Sequence, residues 1–171
     1  YIARMDDSDI CPPERLLKEY EYLENNPEYA LVGTSSNIID TNGHKVSEVI
    51  PALTHSAILK NLHRRNQFSH GSILIRKKIL ERIGGYRELF WYCQDYDMYL
   101  RMINNHLLAN LKYVGYEWRD ETDRLSVKTQ VEKTVYRTLA RLLYYERVLY
   151  GKEIYINIMN NNSHTILSRV K

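Results

Sequence analysis

Cysteine is nearly missing from the 171-residue chain: only Cys11 and Cys93 occur, far apart and outside any Cys-x-x-Cys pair. Neither a zinc ribbon nor a disulfide framework can be built from them, and a reducing, cytoplasmic setting fits. No apolar run approaches the ~18–20 residues that span a bilayer, and the first residues lack both a basic start and an apolar signal core. A soluble chain, at most peripheral at the inner face of a membrane, is expected. The net charge of +3 contains no block of five like charges, so nothing electrostatic argues for a nucleic-acid partner. His63-Arg64-Arg65 is the nearest approach to a basic patch, and reads as a solvated helix end or as a contact for phosphate or an anionic surface. No His pair at i,i+4 and no Gly-x-Ser-x-Gly elbow occurs, which removes zincin and hydrolase chemistry. No glycine precedes Gly33, so the early acidic residues cannot form an EF-hand loop. No internal repeat is visible.

What is present suits one packed domain: 44% hydrophobic and 26% charged residues, enough to bury a sizeable core. Tyrosine is abundant at 15 residues, either as sugar-stacking surface or as half-buried filler. Tyr1 to Met5 reads as a strand entered midway, so the chain is expected to be part of a longer protein. Pro12-Pro13-Glu14 opens a helix whose Leu16, Leu17, Tyr20 and Leu23 form one face, ending at Asn25-Asn26-Pro27. Tyr29 to Ile39 predicts a strand that turns at Asp40-Thr41-Asn42-Gly43 into a second one. A Thr54-capped helix, a strand at Ser72 to Ile75 and a helix closed by Gly84-Gly85 follow. Tyr96, Tyr99, Leu100, Ile103 and Leu107 mark another amphipathic helix, with an Asp97–Arg101 pair, before a strand at Asn110 to Trp118. From Ser126 a long helix carries Val127, Val131, Val135, Leu139, Leu142 and Leu149 on one face, and Ile154, Ile156 and Ile158 alternate as in a strand ahead of Asn160-Asn161-Asn162-Ser163. Alternating strands and helices through the first 118 residues predict an α/β layered sheet with flanking helices and a C-terminal helical appendage.

Three places could carry chemistry. Asp6-Asp7-Ser8-Asp9, on a loop after a strand, offers hard oxygen ligands for Mg²⁺ or Mn²⁺ holding a diphosphate, or else caps and turns before a proline-started helix. Gln94-Asp95-Tyr96-Asp97 opens a helix, where Asp95 is either an N-cap or a base whose charge the dipole favours. His70 stands beside a small-residue turn and serves either a ligand or a structural hydrogen bond.

Taken together and in order, Arg4-Met5-Asp6, Asp9-Ile10, Pro13-Glu14-Arg15-Leu16, Asn26-Pro27-Glu28, Phe68-Ser69-His70, Gly84-Gly85-Tyr86-Arg87 and Asp95-Tyr96-Asp97-Met98-Tyr99-Leu100-Arg101 resemble the second half of family 2 glycosyltransferases of the GT-A fold. The resemblance covers residues 1–119, the acceptor-side part, and leaves 120–171 as a helical extension. It implies that Asp6, Ser8 and Asp9, or Asp7 if the loop shifts, contact the nucleotide and a divalent cation. It implies also that Asp95 is the general base of an inverting transfer, and that His70, Tyr86 and Tyr96 lie near the acceptor. The donor would be a nucleotide-sugar and the acceptor a glycan or a lipid-linked glycan, in surface polysaccharide synthesis. Ser8 stands where the family has its second carboxylate, Gln94 replaces a Glu beside the base, and the half that binds the nucleoside is absent from the sequence. A non-catalytic remnant or binding module of the same fold is therefore the alternative. An exposed edge and apolar face, and hence self-association, are expected as well.

Overall fold

A computed structural model describes residues 1–120 and 127–156. It is a mixed α/β structure built around one long strand, β2 (Tyr29–Ile39), which is paired on both edges. On one edge β5 (Leu107–Arg119) runs parallel to it along its whole length. The other edge is divided: β4 (Leu74–Ile75) pairs antiparallel with Leu31 and Val32, and β3 (Lys45–Val49) pairs antiparallel with Ser36 to Ile39. β1 (Ile2–Ala3) adds antiparallel outside β4. The β2–β3 hairpin turns where the Asn-Gly step predicts it; Gly43 takes φ 86°, and the Asp40 carboxylate accepts from the Asn42 and His44 amides.

Side chains alternate across the strands and so serve two cores. Leu31, Ile75 and Leu108 join a large cluster with Ile58 and Leu62 of α2 (His55–Leu62) and Met98, Tyr99 and Met102 of α4 (Gln94–Met102). Ala140 and Leu143 of α5 (Val127–Tyr150) complete it. Val32, Leu74 and Ala109 point the other way and meet Leu23 of α1 (Arg15–Asn25). α3 (Lys77–Arg82) lies at the rim and ends on Gly84 and Gly85, both at positive φ. No helix among the described residues is long and apolar enough to cross a membrane.

Several expectations need correction. In α1 the buried face is Arg15, Glu19 and Leu23, while Leu16, Leu17 and Tyr20 are exposed. Arg15 wins the interior because its guanidinium donates to the Gly71 carbonyl at 2.6 Å and the Arg4 carbonyl at 2.8 Å, and lies over the Tyr116 ring. In α5 likewise Ala140 and Leu143 are buried, whereas Val131, Val135, Leu142 and Leu149 face out. Leu107 is not the end of a helix but the start of β5, since α4 stops at Met102 and the chain turns. Ser72 and Ile73 fall outside β4, because His70–Ser72 is a 3-10 turn. The alternating Ile154 and Ile156 lie in a helical turn, where the Glu146 carboxylate caps the Ile154 and Tyr155 amides. Ser126, Ile158 and the Asn160 to Ser163 break lie outside the described residues.

Candidate functional site

The start of α4 is the centre of the candidate site. Cys93, just before the helix, holds φ 58°, a left-handed conformation uncommon for a residue with a side chain. Its carbonyl accepts the first helical bond, from the Asp97 amide, so Cys93 is the cap and Asp95 lies one residue inside the helix rather than capping it. The Asp95 carboxylate is instead gripped from across the fold: Asn66 Nδ2 donates to its Oδ2 at 2.8 Å. Asn66 Oδ1 accepts from the Phe68 amide at 3.1 Å, which fixes the orientation of the amide group. One turn along α4, Tyr99 is wholly buried beside the Phe68 ring, and its hydroxyl has no partner among the described residues. Burial, reinforced by Asp95 and Tyr86, keeps that phenol protonated well above the ordinary tyrosine range.

His70 and Tyr86 meet directly, His70 Nε2 to the Tyr86 hydroxyl at 2.9 Å. Burial holds the His70 imidazole below its usual range; Arg4 adds to this, while Asp95 and Asp6 pull the other way. Burial also raises the Tyr86 phenol, opposed by Arg4. Arg4, Asp6 and Asp95 act on both because the fold gathers the five residues: Arg4 and Asp6 from the segment after β1, His70 from the 3-10 turn, Tyr86 from the turn after α3, and Asp95 from α4. Arg15 binds two of these pieces together from beneath through the Gly71 and Arg4 carbonyls.

The acidic run divides in two. Asp6 is half-exposed and paired with Arg4, Nη2 to Oδ1 at 2.5 Å. Asp9 is committed to structure: one oxygen accepts from the Arg119 amide at 2.8 Å and the other from the Tyr116 hydroxyl. Ser8 and Asp7 are exposed, and the Ser8 carbonyl accepts from Arg119 Nε at 3.1 Å. No group of three or more metal-ligating side chains converges among the described residues. Tyr96, expected beside the acceptor, is in the core with its hydroxyl donating to the Leu62 carbonyl at 2.7 Å. The helical period explains this, since Tyr99, four residues after Asp95, shares the Asp95 face and Tyr96 does not. Arg4, Asn66, Tyr99 and Tyr116 went unnoticed as site residues; the i,i+4 spacing of Asp95 and Tyr99 is the one signal that could have found any of them.

The chain is similar to glycosyltransferases. It is 32% identical over 126 residues to the amylovoran biosynthesis glycosyltransferase AmsE of Erwinia amylovora, covering 73% of this chain and 47% of that protein. It is 36% identical over 103 residues to the O-antigen biosynthesis glycosyltransferase WbnJ of Escherichia coli, covering 60% and 39%. It is 35% identical over 106 residues to the uncharacterized glycosyltransferase MJ1057 of Methanocaldococcus jannaschii, covering 61% and 36%. The chain thus matches less than half the length of each of these relatives. No protein-family model matches it.

Proposed function

We propose that the chain is the acceptor-side part of an inverting family 2 glycosyltransferase of GT-A fold. It would use a nucleoside-diphosphate hexose and a glycan or lipid-linked acceptor in surface polysaccharide synthesis. Residues 1–119 form the transferase part and 120–171 its extension. The observation that carries this reading is the gathering of Asp95, His70, Tyr86 and Asp6 on one site in a chain similar to glycosyltransferases. Asp95 accepts the proton of an acceptor hydroxyl; that oxygen attacks the anomeric carbon, and the bond to the nucleoside diphosphate breaks with its electrons leaving on the phosphate. Asn66 holds Oδ2 of the carboxylate and leaves Oδ1 to the incoming hydroxyl, for no described residue bonds that oxygen. His70, neutral and bonded to Tyr86, presents a polar wall without adding a cation that would pair with the base.

A divalent cation, Mn²⁺ or Mg²⁺, fits this chain only in part. Asp7 is exposed and could hold it, together with the half-exposed Asp6, whose Oδ1 already pairs with Arg4, while Asp9 is taken by Tyr116 and Arg119 and Ser8 offers only a hydroxyl. Such a small ligand set suits a hard cation that also binds substrate phosphates, where it would neutralise charge on the leaving group. Association with the inner face of a membrane and self-association belong to the same proposal.

The test is turnover of sugar-nucleotides with Mn²⁺ by a longer protein that joins this chain to the part of the relatives' length it does not match. Asp95→Asn is expected to lower kcat by roughly 10²–10⁴-fold. Equal rates for the two forms would remove Asp95 as the base.

A further inference from the structure

Beside Asn66 the surface opens into a cleft of about 340 Å³, lined by Glu48 to Pro51 at the end of β3 and by Arg65 to Ser69. Its size lies at the low end of ligand-sized pockets, about 300–1,000 Å³. We infer that this cleft is a saccharide subsite that takes one pyranose ring of the acceptor and delivers its hydroxyl to Asp95 past Asn66; the acceptor role rests on the reading of Asp95 as base.

The walls fit a sugar ring, which has an apolar C–H face and a rim of hydroxyls. Val49, Ile50, Pro51 and Phe68 supply the apolar contact, and Glu48, Arg65 and Asn66 the polar edge. Ile50, just past the end of β3, is 60% exposed and so offers its apolar side chain to an occupant of the cleft. The Arg65 guanidinium has no hydrogen bond or ion pair among the described residues, so its donors are available to ring oxygens. The floor is rigid: Gln67 is buried, accepts from the Ala52 amide at 3.3 Å and donates to the Arg65 carbonyl at 3.1 Å. Asn110 Nδ2, beneath it, donates to the Ala52 and Gln67 carbonyls and so ties the two walls together. Asn66 belongs both to the cleft and to Asp95, which makes it the positioning residue through which an occupied cleft meets the base.

The test is a titration of the ¹⁵N-labelled chain with methyl α- and β-pyranosides of glucose, galactose, mannose and N-acetylglucosamine, followed by amide shifts. Saturable shifts at Glu48 to Ile50, Arg65 to Ser69 and the Asn66 side-chain amide are expected with at least one of them. Ile50→Arg, an exposed change that spares the core, should abolish them, and Ile50→Leu should keep them. Absence of cleft shifts with every sugar overturns the inference, as do shifts centred elsewhere, for example in the groove of Tyr1, Glu24 and Arg76. Cleft shifts lost while Asp95→Asn still abolishes turnover would remove the subsite and leave the proposed function standing. Cleft shifts kept with a fully active Asp95→Asn would remove the base, and the acceptor role of the cleft with it.

Discussion

Tyr99 is the residue at which the site departs most from an ordinary core. A buried hydroxyl without a partner costs about 1–3 kcal/mol, so Tyr99→Phe is expected to stabilise the chain by about 1 kcal/mol in urea unfolding. A loss of stability would show that the hydroxyl is satisfied after all. Glu19 is a second buried polar group, with neither carboxylate oxygen hydrogen-bonded and Arg15 Nε 3.4 Å away. Burial pushes its carboxyl up to about 8 against the opposing pull of Arg15. Between the ordinary carboxyl range and about pH 8 the folded chain therefore keeps a proton that the unfolded chain has lost. This contribution to stability is full in acid, fades as pH rises through that window, and is gone above about pH 8. Glu19→Gln should flatten the fall, giving a higher urea midpoint than the parent at pH 9 and a similar one at pH 4; a lower midpoint at pH 9 would refute it. At this scale sequence order singled out Asp6, His70, Tyr86 and Asp95 as candidates, because each sits at a turn or helix start with its own local signature. It could not locate Asn66 or Tyr116, whose roles arise from partners 29 and 107 residues away. Tyr96 misled because proximity along the chain is not proximity on a helix face.

Among elements, the tightest fit is between the 3-10 turn and β5. A methyl group on Gly71 would lie 1.8 Å from the Tyr116 hydroxyl, so the turn can pass only as glycine. Gly71→Ala is expected to cost about 1–3 kcal/mol and to free Asp9 from Tyr116, read as a lowered thermal midpoint with shifted amide signals at Asp6 and Asp9. An unchanged midpoint would mean that Tyr116 has another seat. α4 is held by charge as well as by packing: Asp97 pairs with Arg101 at 2.9 Å and Arg87 at 3.5 Å, and Arg87 reaches Glu153 at 2.6 Å. Arg101 also donates to the Ile83 and Gly85 carbonyls, which fixes the turn that carries Tyr86. Burial raises the Asp97 carboxyl, with both arginines opposing. Asp97→Ala would leave the buried Arg101 guanidinium without its carboxylate, while Arg87 keeps Glu153; a loss of about 3–5 kcal/mol by urea unfolding is expected. The outlines of β2 and α2 were plain because the Asn-Gly turn and the Thr54 cap mark their ends, whereas β5 was read without Leu107 to Ala109. The faces of α1 and α5 were not plain: α1 turns the Arg15–Glu19 pair inward and leaves Leu16 and Leu17 outside, and α5 buries Ala140 and Leu143 while Val131 and Val135 stay exposed.

For the molecule as a whole, that outward stripe has a cost in solution. Leu16, Leu17 and Tyr20 lie exposed on α1, and Tyr1 packs edge-on against Tyr20, making a contiguous apolar surface beside the short edge strand β1. Light scattering is expected to show concentration-dependent association that Leu17→Glu weakens; a monodisperse monomer at all concentrations would count against it. The clasp on Asp9 bears on how the protein is made. Its two holders, Tyr116 and Arg119, lie more than a hundred residues downstream, and β5 must pair with β2 before either arrives. During synthesis, therefore, the acidic loop emerges well before β5 but has no fixed shape until Arg119 has left the ribosome. A nascent chain arrested before that residue should show the loop open to protease, so that β5, not β1, decides when the loop takes its shape.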